Sequence, residues 1–233
     1  MRRTRVTTDA LESGLAASVE FAGERLTLLA DRAMWWPAQR TLLVADLHLG
    51  KPASFRAAGA PVPERVTAHD LDRLAGLIAR HDARRLVMLG DLAHDHVAWQ
   101  QRTLDAFAAW RDQHDAVEIV LVRGNHDRWA KDPPPELHID AVDPGWRLGP
   151  IAMHHEPVES ESPILCGHVH PGVALRGRRA SAGLRAPCFW FTQTRGVLPA
   201  FGSFTGCAVV RPARGDRVFA IGDGRVIEIP GPA

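Results

Sequence analysis

The sequence predicts a layered α/β domain with parallel strands and two sheets. Two observations carry this: a strand-helix-strand pattern occurs twice in succession between residues 41 and 127, and the chain then turns to short, Gly- and Pro-punctuated β-like segments. A third agrees with it. The 233 residues are 45% hydrophobic and 24% charged, enough to bury a full core, and one domain over 1–233 is the default reading.

Taken in order, VEFAGERLTLL (19–29) reads as two short strands about Ala22-Gly23, and TLLVAD (41–46) as an apolar strand ending in a carboxylate. From Pro63 to about His81, Val66, Leu71, Leu74, Leu77 and Ile78 recur at helical spacing; RRLVMLGD (84–91) follows as a buried strand. A second helix runs from about Val97 to Gln113, with Trp99, Leu104, Phe107 and Trp110 on one face, and VEIVLVRGNHD (117–127) is a strand entering a polar turn. After KDPPPE come strand candidates at IAMHH (151–155) and PILCGHVH (163–170), then short strands to the end. RGRRASAGLRA (176–186) reads as a mobile basic loop. The division is an α/β part over about 19–175 and a basic, mostly β part over about 176–233.

No apolar run is long enough to span a membrane, and the basic start MRRTRVTTDALESG has no apolar signal region, so a soluble cytoplasmic protein with no membrane partner is expected. Cys166, Cys188 and Cys207 are odd in number and irregularly spaced, which fits neither a disulfide framework nor a CxxC zinc site. Charge is uneven: residues 1–170 carry a net −5 and residues 171–233 a net +6. A basic C-terminal quarter hints at a polyanionic partner, although Arg accounts for 26 of the 28 basic residues, as a base-composition bias would also produce.

Five polar clusters each follow an apolar strand-like run: Asp46-Leu47-His48, Gly90-Asp91, Gly124-Asn125-His126-Asp127, His154-His155-Glu156 and Gly167-His168-Val169-His170. Ligands of layered α/β folds bind at the carboxyl ends of strands, so the five can converge. In an extended segment, Asp46 and His48, like His168 and His170, would point to one side. The donors are carboxylate, amide and imidazole without Cys, which suits Mn, Fe, Zn or Co. Seven donors exceed one tetrahedral ion and match a pair of ions about 3.5–4 Å apart, as used in phosphoryl transfer. Singly, each cluster could be no more than a turn or helix cap.

The blocks DLHLG, GD, GNHD and GHVH, in this order, resemble the calcineurin-like metallophosphoesterase superfamily over residues 41–175. ADLHLGKPASFRAAGAPVPE (45–64), GDLAHD (90–95), HEP (155–157) and CFWF…VLPAFGSFTG (188–206) are further similar to its ligase-associated DNA damage response endonucleases, a bacterial branch acting on DNA with manganese. The resemblance implies a four-layer αββα sandwich with mixed sheets. It implies that Asp46, His48 and His170 hold one ion, that Asn125, His155 and His168 hold the other, and that Asp91 bridges them. His126 would contact the scissile phosphate and protonate the leaving oxygen, with Asp127 grouped beside it as catalytic. His94, where the phosphoprotein-phosphatase branch has an acidic residue, resembles the nuclease subunits of double-strand-break repair and is expected near His126. His154 and His155 are adjacent and only one can face inward; the HEP match favours His155.

Implied too are a manganese-dependent endonuclease acting on single-stranded or flap DNA in repair, and functional association with an ATP-dependent DNA ligase and a helicase. The alternative is a small-molecule phosphodiesterase or nucleotide pyrophosphatase on the same two-ion core, with Fe, Zn or Co as alternatives to Mn. Lys51, Arg56, Arg123, Arg178 and Arg179 are candidate phosphate contacts and Trp129 a candidate base-stacking residue. Trp35 and Trp36 are weaker stacking candidates. His69, His81, His114 and His138 read as surface residues, Trp99 and Trp110 as core, and Cys166 as a small buried side chain.

Overall fold

A computed structural model of the chain describes residues 15–57, 59–62, 66–99, 101–175 and 184–230. Its first sheet runs in sequence order through β1 (Ala16–Phe21), β2 (Glu24–Leu29), β3 (Ala33–Trp36), β4 (Thr41–Val44), β5 (Arg85–Met88), β6 (Glu118–Val122) and β7 (Asp140–Val142). Strands β1 to β4 pair antiparallel and β4 to β7 parallel. The crossovers carry α1 (Lys51–Ala57) and α2 (Val66–His81) between β4 and β5, and α3 (Gln101–Asp112) between β5 and β6. A last short helix, α4 (Asn125–Ala130), follows β6. Helix α2 stops where Asp82 takes a left-handed φ of 49°, and Ala83 N–H donates back to the Ile78 carbonyl.

The central strands read as continuous apolar runs because both of their faces are covered. Leu42, Val44, Leu86, Met88, Ile119 and Leu121 pack under α2 and α3 with Leu74, Leu77 and Phe107. Their neighbours Leu43, Val87, Val120 and Val122 point the other way, into a second core shared with Met153, Leu165, Phe189 and Phe219. That core lies between the sheets. The second sheet has the order β14 (Ala208–Val209), β11 (Pro171–Leu175), β12 (Leu184–Phe191), β13 (Arg195–Val197), β10 (Ile164–Cys166), β9 (Ile151–Met153), β8 (Trp146–Leu148), with β15 (Arg217–Gly222) on β12 and β16 (Arg225–Ile229) on β15. It too is mixed: β9, β10 and β13 run parallel, whereas β12 is antiparallel to β11, β13 and β15.

This is the α/β sandwich of mixed sheets that the sequence predicts, with few helices. Three details differ. Strand β3 was not anticipated: Trp35 and Trp36 are buried strand residues, Trp36 Nε1–H donating to Glu24 at 2.9 Å, and so are unavailable to nucleobases. Helix α3 is shorter than expected because residues 96–99 form a 3-10 turn. The surface reading of His81 fails: its ring is buried and stacks on Trp35 at 5.1 Å. His69 and His138 are exposed, while His114 is half-buried and stacks on Trp110 at 4.7 Å.

The His81 correction has a thermodynamic consequence. Neither ring nitrogen has a hydrogen-bond partner among the described residues, and burial, with Arg80 nearby, lowers its pKa to about 4. The unfolded chain, near 6.5, therefore binds more protons than the folded one between those values, so stability falls as pH drops from 6.5 towards 4. His81→Phe is expected to remove that slope and leave the protein about 2 kcal/mol more stable than the wild type at pH 4. Urea unfolding at pH 7 and pH 4 checks this; an unchanged slope in the variant overturns it.

Candidate metal centre

Every chemistry-bearing cluster leaves the carboxyl end of a strand: Asp46 after β4, Asp91 after β5, Asn125 after β6, His155 after β9, and His168 and His170 after β10. The spacing argument for the DxH and HxH pairs does not hold locally. Asp46, His48, Asp91, His168 and His170 have φ of 56°, 51°, 51°, 67° and 45°, so these are left-handed turns and not extended segments. Each such residue costs about 1 kcal/mol or more and persists only where its surroundings impose it. Here they do. Asp46 N–H donates to the Gly90 carbonyl (3.1 Å), His48 N–H to that of Asp91 (2.9 Å), and Phe201 and Gly202 N–H donate to the carbonyls of Ala45 and Asp46 (2.8 and 3.2 Å). The first metal block is thus clamped between the second block and the C-terminal loop.

The donors then meet. Asp46, His48 and His170 form one group and Asp91, His155 and His168 another, the ligating atoms within each lying within 4.8 Å of one another. His170 Nε2 is 3.3 Å from Asp46 Oδ1, and His48 Nε2 is 3.4 Å from His170 Nε2. Asn125 Oδ1 joins the second group, 3.0 Å from His155 Nε2, which is 3.1 Å from His168 Nδ1. Asp91 faces both groups, with Oδ2 3.8 Å from His48 Nε2 and Oδ1 3.3 Å from His155 Nε2. Carboxylate, amide and imidazole donors without thiolate fit divalent cations of borderline hardness.

Electrostatics favour positive charge here. Burial alone would lower His155, but its hydrogen bond to Asp91 and the Asp91 and Asp46 charges hold it up to about 9. Burial would likewise raise Asp91, and His155 and His48 pull it below the ordinary carboxylate range instead. His48 is pushed down to about 2 by burial, which outweighs Asp91. His155 Nδ1–H donates to the Leu89 carbonyl at 2.9 Å, which turns Nε2 into the cluster, while His154 is half-buried and lines the neighbouring cavity.

His94 and His126 sit beside the first group, their rings stacked at 4.9 Å and each 5.0–5.4 Å from that of His48. His126 Nδ1–H donates to the His94 carbonyl at 2.6 Å, which leaves Nε2 free. His94 Nδ1 is 3.4 Å from His48 Nδ1. With His48 ligating through Nε2, its Nδ1–H donates to His94, so that His94 keeps its own proton on Nε2, as a donor.

Other expectations fare differently. Asp127 is not placed for chemistry: it is buried, and its two oxygens accept from the backbone N–H groups of Asp91 (2.7 Å), Ala93 (3.0 Å) and Gly124 (2.9 Å). It is a positioning residue that ties the β5 and β6 turns together. Asp127→Asn supplies one acceptor oxygen and one unwanted donor, so we expect a loss of about 2–3 kcal/mol and metal binding weakened about 10- to 100-fold, measured by calorimetry; full affinity would refute the role. Arg123 is also corrected. Asp132 holds it through two bonds of 2.7 Å and Asp143 through one of 3.0 Å, so its charge is already matched.

Lys51 is half-buried, lowered by burial against the opposing pull of Asp46 and Asp91, and so lies beside the cluster. Arg56 is turned towards the Val62 carbonyl at 3.4 Å. Trp129 is 84% exposed on α4. Arg178 and Arg179, and most of the predicted basic loop, lie outside the described residues. Cys166 is fully buried and pushed up to about 12 by burial, as suits an inert side chain.

Three glycines named within the polar clusters turn out to be packing requirements. A Cβ on Gly90 would come within 2.2 Å of the His155 ring, and one on Gly124 within 2.2 Å of Asp91 Oδ1; on Gly167 it would lie 2.6 Å from Asp46 Oδ2. The signal was available, since a glycine stands immediately before Asp91, Asn125 and His168.

Comparison with known proteins agrees with this geometry. The calcineurin-like phosphoesterase family matches residues 39–170, more than half of the chain. Among solved structures the chain is similar to the nuclease MPE of Pseudomonas putida, with 44% identity over 92% of this chain and all of that one, and a TM-score of 0.81. Yfce, a phosphoesterase from E. coli, is far more distant, at 17% identity over 81% of this chain and 97% of that one, with a TM-score of 0.41. No curated protein matches. On the family match and the 44% identity, this chain belongs to the calcineurin-like phosphoesterases and is a metal-dependent hydrolase of phosphate esters.

Proposed function

We propose that the protein is a dinuclear, manganese-dependent nuclease that hydrolyses DNA phosphodiesters, acting as an endonuclease on single strands or flaps during repair. One observation carries the reading: seven donors and two further imidazoles form a continuous cluster whose outer members, exposed His168 and half-buried His170, Asn125 and His126, leave it open to a long phosphodiester. The similarity to a protein named as a nuclease supports a nucleic acid as substrate, and DNA in particular follows from the family resemblance. Association with an ATP-dependent ligase and a helicase belongs to the proposal on family resemblance alone, while one domain spanning the chain and a cytoplasmic location belong to it on the chain's length, composition and cysteine usage. No described helix is long and apolar enough to cross a membrane.

In this reading Asp46, His48 and His170 hold one ion, Asn125, His155 and His168 the other, and Asp91 bridges. When bound, the ions supply Lewis acidity and lower the pKa of water. The remaining residues bind and move protons. His94 Nε2–H and Lys51 donate to phosphate oxygens. His126, anchored through Nδ1, carries a proton on Nε2 to the departing sugar oxygen. Asn125 is a neutral ligand and so adds no negative charge against the phosphate.

The test is cleavage of circular single-stranded DNA with EDTA, Mn, Mg or Zn, beside a small chromogenic diester. Linearisation that needs Mn is expected; a circle has no ends for an exonuclease. A circle that survives while the small diester is hydrolysed turns the assignment to the small-molecule alternative.

A further inference from the structure

Beside the second group of donors the surface dips into a cavity of about 170 Å³. Asn125 and His155 form one wall, and Arg128, His154, Glu156 and Val158 are among the residues lining the rest. The Arg123 guanidinium is held by Asp132 and Asp143, and Arg128 and Glu156, both exposed in the lining, are opposite in sign, so away from the wall of Asn125 and His155 the lining carries no surplus of positive charge to hold a phosphate. The lining also has an apolar element: Val158 is among the few large hydrophobic side chains exposed among the described residues. A group that seats against this outer wall is small, part apolar and uncharged, with donors that a carboxylate can accept. A nucleobase has these properties, its exocyclic amine suiting Glu156 and its face suiting Val158 and the His154 ring.

We infer that this cavity is a base-binding subsite, receiving one unstacked nucleobase adjacent to the phosphate held by the metal centre. The inference rests on the proposed phosphodiester reading and adds to it a reason for strand preference. Within a duplex, a base is stacked and paired and must be extruded at an energetic cost, whereas in a single strand or flap that cost is small. The discrimination between single and double strands then comes from the cavity, and the metal ligands need not supply it.

The experiment is an abasic scan. A set of otherwise identical single-stranded oligonucleotides, each lacking one base around a fixed cleavage position, is cleaved by the wild-type protein with Mn, and KM and kcat are read for each. The expected result is a KM raised tenfold or more at one nucleotide flanking the cleaved phosphate and a change below threefold elsewhere. In Val158→Asp, which places a second carboxylate in the cavity, the base at that nucleotide should lose its advantage, so that abasic and complete substrates converge. Val158 stands on an exposed loop, and the wild-type scan needs no variant at all. A flat scan overturns the subsite while leaving the nuclease reading intact. If no oligonucleotide is cleaved but a small chromogenic diester is, the nuclease reading fails and the subsite with it.

Discussion

Replacement of Asp91 by Ala is expected to lower the rate of phosphodiester hydrolysis by about a thousandfold or more and to reduce the bound metal per chain. Three observations make this the largest single effect. Asp91 is 2% exposed, and its two oxygens face the two donor groups separately, 3.8 Å from His48 and 3.3 Å from His155. Its Oδ1 also accepts the backbone N–H of His126 at 3.0 Å, so the same carboxylate sets the start of α4 and the place of His126. Loss of about 4 kcal/mol of charge stabilisation corresponds to about a thousandfold in rate. Metal content by elemental analysis gives an independent readout. Thermal unfolding gives another: excess metal at about a thousand times its Kd stabilises the wild type by about 4 kcal/mol, so EDTA should lower its Tm by several degrees and barely move that of Asp91→Ala. A variant with full metal content and a rate within tenfold of wild type would overturn the bridging role.

For His126→Gln the expected result depends on the leaving group. The His126 ring is fixed through Nδ1 on the His94 carbonyl and stacked against His94, so its Nε2 is presented without a competing partner. A sugar alkoxide is a poor leaving group and needs a proton, and general acid catalysis contributes about 100- to 10,000-fold. DNA cleavage should fall by that factor. A nitrophenolate departs without help, and hydrolysis of an aryl diester should fall less than tenfold, with metal content unchanged. Equal losses on both substrates would assign His126 to phosphate binding and not to proton transfer.

Much of this was legible in one sequence because the active segments are short and each is tied to an apolar strand. The runs TLLV, RLVM and EIVLV had to be buried strands, and Asp46, Asp91 and Asn125 had to emerge just beyond their carboxyl ends. Periodicity likewise located α2 by Leu71, Leu74, Leu77 and Ile78. What misled was side-chain chemistry read without burial. His81 carries no local sign that Trp35 covers it, and Asp127 looks as reactive as His126 beside it. Arg123 sits next to the metal block in sequence yet is bound by Asp132 and Asp143.

The sequence by itself therefore determined the donor inventory, the strands that deliver it and the α/β class, since these follow from residue type and from periodicity along a single segment. Only the tertiary structure decided how the donors share one centre. Asp46 and His170 are separated by more than 120 residues, and His155 is turned inward by a carbonyl that belongs to β5's end, at Leu89. The left-handed backbone at five candidate ligand positions is likewise imposed from outside each segment, by the carbonyls and amides of residues 90–92 and 201–202 for the first block. The physical reason is that such conformations are unfavourable in isolation and become stable only when the strands on either side are already packed.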